Sequence, residues 1–188
     1  INNVMRLLEN HDTDRFLLED PENLNVYKQA VTMLLTIPGI PQLYYGQELL
    51  MTGSTKKDFG YVRPDMPGGW NGDEISVFQE SGRTAMQQEA FNFMKKMLHW
   101  RKGNAAISKG KMKHFMPRSN VYVYERSYNG KSILVIMNGV NKEVDLDLTF
   151  YKEVIGDRTN SKNVLTDSNV PLGKKLHLQP KEVLVLEL

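Results

Sequence analysis

The 188-residue chain contains no cysteine, and this absence excludes a disulfide framework, a thiolate metal site and a cysteine nucleophile. It also lacks a long hydrophobic run. The longest apolar stretch near its start, residues 30–40, ends at Pro38 and Gly39, so it is shorter than the ~20 residues that a membrane span needs. No secretion signal opens the chain, so the sequence indicates neither a compartment nor a membrane partner.

Basic residues are unevenly spread, although the net charge is only +2. Residues 83–113 carry 8 basic groups and 1 acidic group. Such a block can indicate a nucleic-acid partner, but here it lacks the interleaved aromatic residues and the turn motif of a nucleic-acid module. We therefore expect the solvated face of a helix and no nucleic-acid partner.

The first half of the chain predicts a strand, a helix and a second strand. Residues 4–8 and 42–45 form short, largely apolar runs. Between them, Asp-Pro-Glu at 20–22 starts a helix and Pro-Gly at 38–39 ends it. The apolar face of this helix consists of Tyr27, Ala30, Val31, Leu34 and Leu35. This order is typical of a parallel, right-handed unit inside a larger sheet, so we expect the chain to begin within the fold of a longer protein.

The second half of the chain changes its hydrophobic period. A loop rich in glycine and proline, residues 48–82, leads to a long amphipathic helix that ends near Gly103. After about Gly110 apolar residues alternate with a period of two, and Asn129 and Gly130 predict a hairpin. Further short strands are predicted at 144–148, around 164, at 176–178 and at 183–188. The whole chain is thus predicted to be α/β followed by an all-β, antiparallel sandwich.

Polar side chains follow the first predicted strand, at Asn10, His11 and Asp12. In an α/β barrel the functional groups project from the C-terminal ends of the strands. An adjacent histidine and aspartate can hold a metal, act as general acid and base, or hydrogen-bond a polar substrate. Neighbouring strand positions point to opposite faces, so both side chains can reach one ligand only if the strand has become a turn. A helix cap or a loop hydrogen-bond network is the structural alternative.

Two segments resemble motifs of the α-amylase family of glycoside hydrolases. Residues 8–16, Leu-Glu-Asn-His-Asp-Thr-Asp-Arg-Phe, resemble the motif at the end of the seventh barrel strand. Residues 39–48, Gly-Ile-Pro-Gln-Leu-Tyr-Tyr-Gly-Gln-Glu, resemble the eighth-strand motif, and residues 58–70 look most like the neopullulanase and cyclomaltodextrinase branch. The resemblance implies that residues 1–107 supply the last two strand-helix units of a TIM (β/α)8 barrel. Residues 108–188 would form the β-sandwich domain that follows it.

For the site, the resemblance implies a retaining mechanism on α-glucans such as starch, maltooligosaccharides or cyclodextrins. Such a mechanism uses a nucleophile and a general acid about 5–5.5 Å apart. Asp12 matches the third carboxylate of the family, which binds two secondary hydroxyls of the sugar and stabilises the transition state; His11 donates to the same sugar. The nucleophile and the acid would come from the fourth and fifth strands, before Ile1. We therefore expect this chain to be inactive by itself.

Three further residues are candidate substrate-binding groups. Arg15 either pairs with a carboxylate of the site or forms a surface ion pair. Trp70 either stacks on a sugar ring or anchors its own loop, and Arg63 is expected to line the cleft. Glu48 is expected to be a structural acceptor that ties the rim loops together, not a catalytic acid.

The expected partners are the α-glucan substrate and the remainder of the barrel, N-terminal to Ile1; homodimerisation is left open. We expect no cofactor and no metal in this stretch, and a calcium site elsewhere in the longer protein is left open. Two alternatives keep the fold and change the activity: a transglycosylase and a non-hydrolytic carbohydrate-binding relative. A third treats residues 108–188 as an independent carbohydrate-binding module.

Overall fold

The computed structural model describes residues 3–17 and 24–188. Contacts between Cα atoms divide the chain into two compact units. Unit 1 comprises residues 1–34 and 39–96, and unit 2 comprises residues 35–38 and 97–188. The division expected from the sequence, between residues 107 and 108, refers to the domains of a longer protein and stays a prediction.

Unit 1 contains a parallel pair of two-residue strands, β1 (Met5–Arg6) and β2 (Ile40–Pro41). The N–H of Ile40 donates to the carbonyl of Val4 at 2.9 Å, and the N–H of Gln42 donates to the carbonyl of Arg6 at 2.7 Å. Pro41 lies between these two donors and has no N–H of its own. The ladder with β1 requires no donor at this position. The parallel pairing is confirmed. The predicted position of the second strand, 42–45, is wrong, because the ladder with β1 begins at Ile40 and ends at Gln42.

A helix, α1 (Leu24–Thr36), lies between β1 and β2 in the chain. Its predicted start at 20–22 lies outside the described residues. The predicted apolar face is buried at Tyr27, Val31, Leu34 and Leu35 and partly buried at Ala30. The helix ends before Pro38, as predicted. Gly39 then has a φ of 127°, and a Cβ there would lie 2.8 Å from the Val4 carbonyl oxygen, so the approach to β2 requires glycine.

Residues 48–82 are a folded loop, as the glycine and proline content predicts. Short 3-10 helices, at Gln47–Leu49, Phe59–Val62 and Glu80–Gly82, are its regular elements. The carboxylate of Asp73 accepts hydrogen bonds from the N–H groups of Gly68 at 2.6 Å and Trp70 at 3.2 Å. The predicted long helix, α2 (Ala85–Gly103), follows. Within the part of the chain that the structure describes, no helix is both long and apolar enough to cross a membrane.

Unit 2 consists mainly of antiparallel strands in two sheets. Its strands are β3 (Lys111–His114), β4 (Val121–Tyr128), β5 (Lys131–Asn138), β6 (Val144–Asp147), β7 (Asn160–Asn163), β8 (Asn169–Pro171), β9 (Lys175–Leu178) and β10 (Val183–Glu187). The larger sheet has the order β3-β4-β5-β10-β7-β8, and the smaller one pairs β6 with β9. Two short helices, α3 (Ala105–Ser108) and α4 (Lys152–Ile155), and a 3-10 helix at Leu148–Tyr151 complete the unit.

The antiparallel strand pairing predicted for this half is confirmed. Asn129 and Gly130 connect β4 to β5 with φ values of 48° and 79°, as a hairpin turn with two left-handed residues requires. Strands β3 and β8 were not predicted. Lys111 and Lys113, expected on a solvated helix face, lie instead on β3, which is an edge strand. Lysines at an edge strand discourage pairing with another chain, so the same charges suit this position.

The two sheets of unit 2 share one hydrophobic core. The buried residues of this core are Val121, Val123, Leu134, Ile136, Leu146, Leu148, Tyr151, Ile155, Leu172, Leu176, Leu178, Leu184 and Leu186. Alternate residues of β4, β5 and β9 contribute to it, in agreement with the period of two in the sequence. Phe115 packs edge-on against Tyr151, with ring centroids 5.0 Å apart.

A buried arginine, Arg126, holds the end of α1 within unit 2. Its guanidinium donates to the backbone carbonyls of Thr36, of Ile107 at 2.8 Å and of Gly110 at 2.9 Å. Arg101 donates to the carbonyl of Leu35. Burial lowers the pKa of Arg126, because removal from water disfavours the charged form. The last carbonyls of a helix carry partial negative charge, which suits two cationic donors.

Candidate functional site

The polar residues after β1 form a hydrogen-bonded turn. The side chain of Asn10 accepts from the N–H of Asp12 at 2.8 Å, and the N–H of Asn10 donates to the hydroxyl of Thr13 at 3.0 Å. Asn10 thus orients the turn, while the side chains of His11 and Asp12 are 62% and 61% exposed. Because the strand has given way to a turn, the two neighbouring side chains can lie together.

His11, Asp12 and Arg63 form one cluster, which we call the His11 cluster. The imidazole Nε2 of His11 lies 3.1 Å from one carboxylate oxygen of Asp12, and Nη2 of Arg63 lies 3.1 Å from the other. Nε of Arg63 donates to the backbone carbonyl of His11 at 2.8 Å. The cluster therefore presents an exposed carboxylate between two nitrogen groups. A carboxylate has about four lone-pair sites, so Asp12 keeps acceptor capacity for hydroxyl groups of a ligand.

Arg15 is not part of this exposed cluster. Its side chain is fully buried, and Nη1 lies 3.0 Å from the buried carboxylate of Glu9. Nη1 also donates to the carbonyl of Tyr45 at 2.6 Å, and Nε donates to the carbonyl of Val62 at 3.1 Å. The surface ion pair considered for Arg15 is therefore wrong. Its burial favours a role in positioning the loops, and direct contact with substrate stays a prediction.

Glu9 is the residue that the sequence analysis missed. One carboxylate oxygen binds Arg15, and the other accepts from the N–H of Phe16 at 2.7 Å, so Glu9 closes the segment that contains the turn. Arg15 ties this segment to the residue before Arg63, because it binds the carbonyl of Val62. The signal available in the sequence was an acidic residue and a basic residue on either side of a polar turn, which can form an ion pair. Glu9 therefore acts as a structural acceptor; the same role for Glu48, which lies half-buried in the 3-10 helix at 47–49, stays a prediction.

Asp14 fixes the other side of the turn. Its carboxylate accepts from the N–H of Thr55 at 2.6 Å and from the Thr55 hydroxyl at 2.9 Å. These bonds hold the pKa of Asp14 below its usual value, the backbone N–H of Thr55 being the largest cause. The N–H of Arg15 also donates to the carbonyl of Gly53 at 2.9 Å. The turn is thus attached to the loop at 53–55 by several independent bonds.

Trp70 lies outside the His11 cluster. It is 67% exposed, so it does not act as the buried anchor of its loop. Its backbone is fixed by Asp73, and its ring is presented to solvent. Stacking on a sugar therefore stays the prediction for Trp70. Among residues 3–17 and 24–188, no group of three histidine, cysteine or acidic side chains is arranged to hold a metal ion.

The fold is that of α-amylase structures. The chain is similar to the α-amylase from Geobacillus thermoleovorans, solved in complex with acarbose, with a TM-score of 0.73 and 22% sequence identity. The superposition covers 99% of this chain and 39% of that one. This likeness shows the fold of the chain, and the family follows from sequence.

Sequence comparison then identifies the family: the chain belongs to the α-amylase family. Residues 2–111 match the family described as "Alpha amylase, catalytic domain", and residues 112–187 match "Cyclo-malto-dextrinase C-terminal domain". The chain is 32% identical to a cyclomaltodextrin glucanotransferase of a Bacillus species over 90% of its length. It is 28% identical over its full length to the cyclomaltodextrinase of Thermoanaerobacter pseudethanolicus. It spans only 22% and 29% of these two relatives. The resemblance seen in the sequence is confirmed.

Proposed function

We propose that the chain is the C-terminal part of a retaining glycoside hydrolase that acts on α-glucans. In this proposal residues 1–107 supply strands seven and eight of a (β/α)8 barrel, and residues 108–188 form the β-sandwich that follows. Val4, Met5 and Ile40, on or next to the parallel pair, are 50%, 60% and 54% exposed. Strands of a parallel barrel are normally buried on both faces, so the remaining strands of a longer protein would cover these side chains.

The single observation that carries the proposal is the His11 cluster at the end of the first strand-and-turn segment. Asp12 accepts hydrogen bonds from two neighbouring hydroxyls of the sugar at which cleavage occurs, and His11 donates to the same ring. A hydroxyl bound to an ionised carboxylate makes a charge-assisted bond, which is stronger than a neutral one. When these bonds tighten as the ring distorts, they stabilise the transition state more than the bound substrate and raise kcat.

The bond-breaking groups lie outside the chain in this proposal. A nucleophilic carboxylate attacks the anomeric carbon and forms a glycosyl-enzyme, while a carboxylic acid protonates the leaving oxygen; water then hydrolyses the intermediate. Arg63 keeps Asp12 and the His11 backbone in place for this reaction, and Trp70 stacks on a more distant sugar. A calcium site and homodimerisation concern the longer protein and stay open in the proposal.

Transglycosylation is the second candidate function. The similarity to a cyclomaltodextrin glucanotransferase favours it. The two reactions share the glycosyl-enzyme and differ in whether water or a sugar hydroxyl attacks it. Product analysis with maltoheptaose distinguishes them, because transfer yields chains longer than the substrate and hydrolysis does not. A non-hydrolytic carbohydrate-binding relative would give neither product.

The test is the substitution Asp12→Asn in the intact protein. Removing the charge of Asp12 should lower kcat roughly 100-fold or more and leave KM within a few-fold, because the lost bonds act in the transition state. Glu74→Gln is a matched control, since Glu74 is an exposed carboxylate of the loop outside the cluster. An unchanged kcat in Asp12→Asn would remove Asp12 from the site. Turnover by the 188-residue chain alone would contradict the expected absence of the bond-breaking groups.

A further inference from the structure

Unit 2 contains a groove that the proposed reaction does not use. It has a volume of about 610 Å³, which lies within the ~300–1,000 Å³ typical of small-ligand sites. The end of α2, the start of α3, the start of β5 and the end of β10 line it. All of these segments belong to unit 2, so the groove is formed within one compact unit.

Trp100 forms a fixed aromatic wall of this groove. Its indole Nε1 donates to the carboxylate of Glu187 at 2.7 Å, which satisfies the one polar group of the ring and sets its orientation. The side chain is only partly buried. Gly103, one turn further along α2, also lines the groove, and a Cβ there would meet no heavy atom within 4 Å. The space next to Trp100 is therefore open.

Polar groups of both kinds surround the aromatic wall. The side-chain oxygen of Asn104 accepts from the N–H groups of Ala106 and Ile107, which leaves its amide nitrogen as a donor. Lys131 adds a second donor, and the second carboxylate oxygen of Glu187 adds an acceptor. The charges of Lys131 and Glu187 are opposite, so the groove favours a neutral ligand over an anion. A neutral ligand with an apolar face and several hydroxyl groups fits this set.

We propose that this groove binds a segment of an α-1,4-linked glucose chain. The axial hydrogens of a pyranose ring form an apolar face that stacks on Trp100, and its hydroxyls pair with Asn104, Lys131 and Glu187. The choice of an α-glucan rests on the proposed function, whereas the preference for a neutral sugar rests on the groove itself. A site of this kind retains a long substrate on the protein independently of the His11 cluster.

Hydrogen–deuterium exchange of the intact protein tests the proposal, with Asp12→Asn as background to slow turnover. Saturating maltoheptaose should slow exchange in peptides that contain residues 99–105 and 131–133. Trp100→Ala should weaken this protection roughly tenfold in Kd, because stacking is lost. Gly103→Leu fills the groove without removing the Trp100 ring and should abolish the protection. Trp70→Ala, which removes the other tryptophan of this chain, should leave the protection unchanged.

Three results would overturn the proposal: no protection of these peptides at saturating maltoheptaose, protection that survives Gly103→Leu, or protection by inorganic phosphate in place of the sugar. The outcome is separable from that of the proposed function. Protection at residues 10–16 without protection of the groove would reject this site alone. Protection of the groove, together with no turnover by the intact protein that retains Asp12, would reject the proposed reaction and leave the site in place.

Discussion

Arg15 in unit 1 and Arg126 in unit 2 are each 1% exposed, but their partners differ. Arg15 faces the buried carboxylate of Glu9, and its Nη2 has no partner among the described residues. The guanidinium of Arg126 is bound by backbone carbonyls at the end of α1, in α3 and next to β3. One arginine thus faces an opposite charge, and the other faces the dipoles of backbone carbonyls. The cost of burying a guanidinium is thus compensated differently in the two units.

The units also differ in how completely they cover their apolar side chains. Of the large exposed hydrophobic residues in the described chain, 10 belong to unit 1 and 2 belong to unit 2. The buried polar atoms without a partner follow the same division, since those of Arg15, Tyr27 and Gln47 lie in unit 1 and the hydroxyl of Tyr151 lies in unit 2. Unit 2 therefore exposes fewer large apolar side chains and leaves fewer buried polar atoms without a hydrogen-bond partner. This contrast supports the proposal that unit 1 is one part of a larger barrel.

The largest stability effect is expected at the buried ion pair. Arg15→Met leaves the Glu9 carboxylate buried without its counter-charge and should lower the free energy of unfolding by about 3–5 kcal/mol. Adding Glu9→Gln removes the orphaned charge, so the double variant should recover at least half of the loss. Urea unfolding of the 188-residue chain, followed by circular dichroism, measures both.

Arg126→Met serves as the comparison for this pair. It leaves carbonyls, not a charge, without donors and should cost about 2–3 kcal/mol. Among the residues that the structure describes, no carboxylate stands opposite Arg126, so no second substitution of that kind is available to rescue it. A Glu9→Gln, Arg15→Met double variant as unstable as Arg15→Met alone would show that Glu9 is not the reason for the loss.

The His11 cluster should contribute little to stability and much to activity, unlike the buried pair of Glu9 and Arg15. Arg63 is 45% exposed at its side chain, so Arg63→Ala should change the free energy of unfolding by less than about 1 kcal/mol. In the intact protein it should lower kcat/KM roughly tenfold, because a charged donor to Asp12 and to the His11 backbone is lost. Lys56→Ala, at another exposed cation of the same loop, is the control. A large loss of stability with unchanged kinetics would make Arg63 a structural residue only.

The smallest expected effect concerns an exposed ion pair of unit 2. The pKa of His177 is raised, mainly because its ring hydrogen-bonds the carboxylate of Asp145 at 2.9 Å, with Glu143 also nearby. Its contribution to stability is therefore fully present below the ordinary histidine pKa of ~6.5 and is lost as the pH rises through the raised value. His177→Gln should lower Tm at pH 5.5 and leave it unchanged at pH 9. A difference in Tm that does not vary with pH would contradict this.

Local sequence patterns predicted the elements that depend on local chemistry. The buried face of α1, its end at Pro38 and Gly39, and the turn at Asn129 and Gly130 follow from periodicity and backbone preference. The start of β2 did not follow, because it is set by hydrogen bonds to Val4 and Arg6 more than thirty residues earlier. The partner of Arg15 was missed for a similar reason. Whether an arginine is buried depends on distant segments, here the carbonyls of Tyr45 and Val62.

The contact between the His11 cluster and a sugar is the central claim, and a crystal structure of the intact Asp12→Asn protein with bound maltooligosaccharide tests it most directly. We expect two neighbouring hydroxyls of one glucose ring within about 2.6–3.2 Å of the residue 12 side chain, and the His11 ring within the same distance of that sugar. A maltooligosaccharide bound elsewhere on the protein, with His11 and residue 12 contacting only Arg63, would contradict the account.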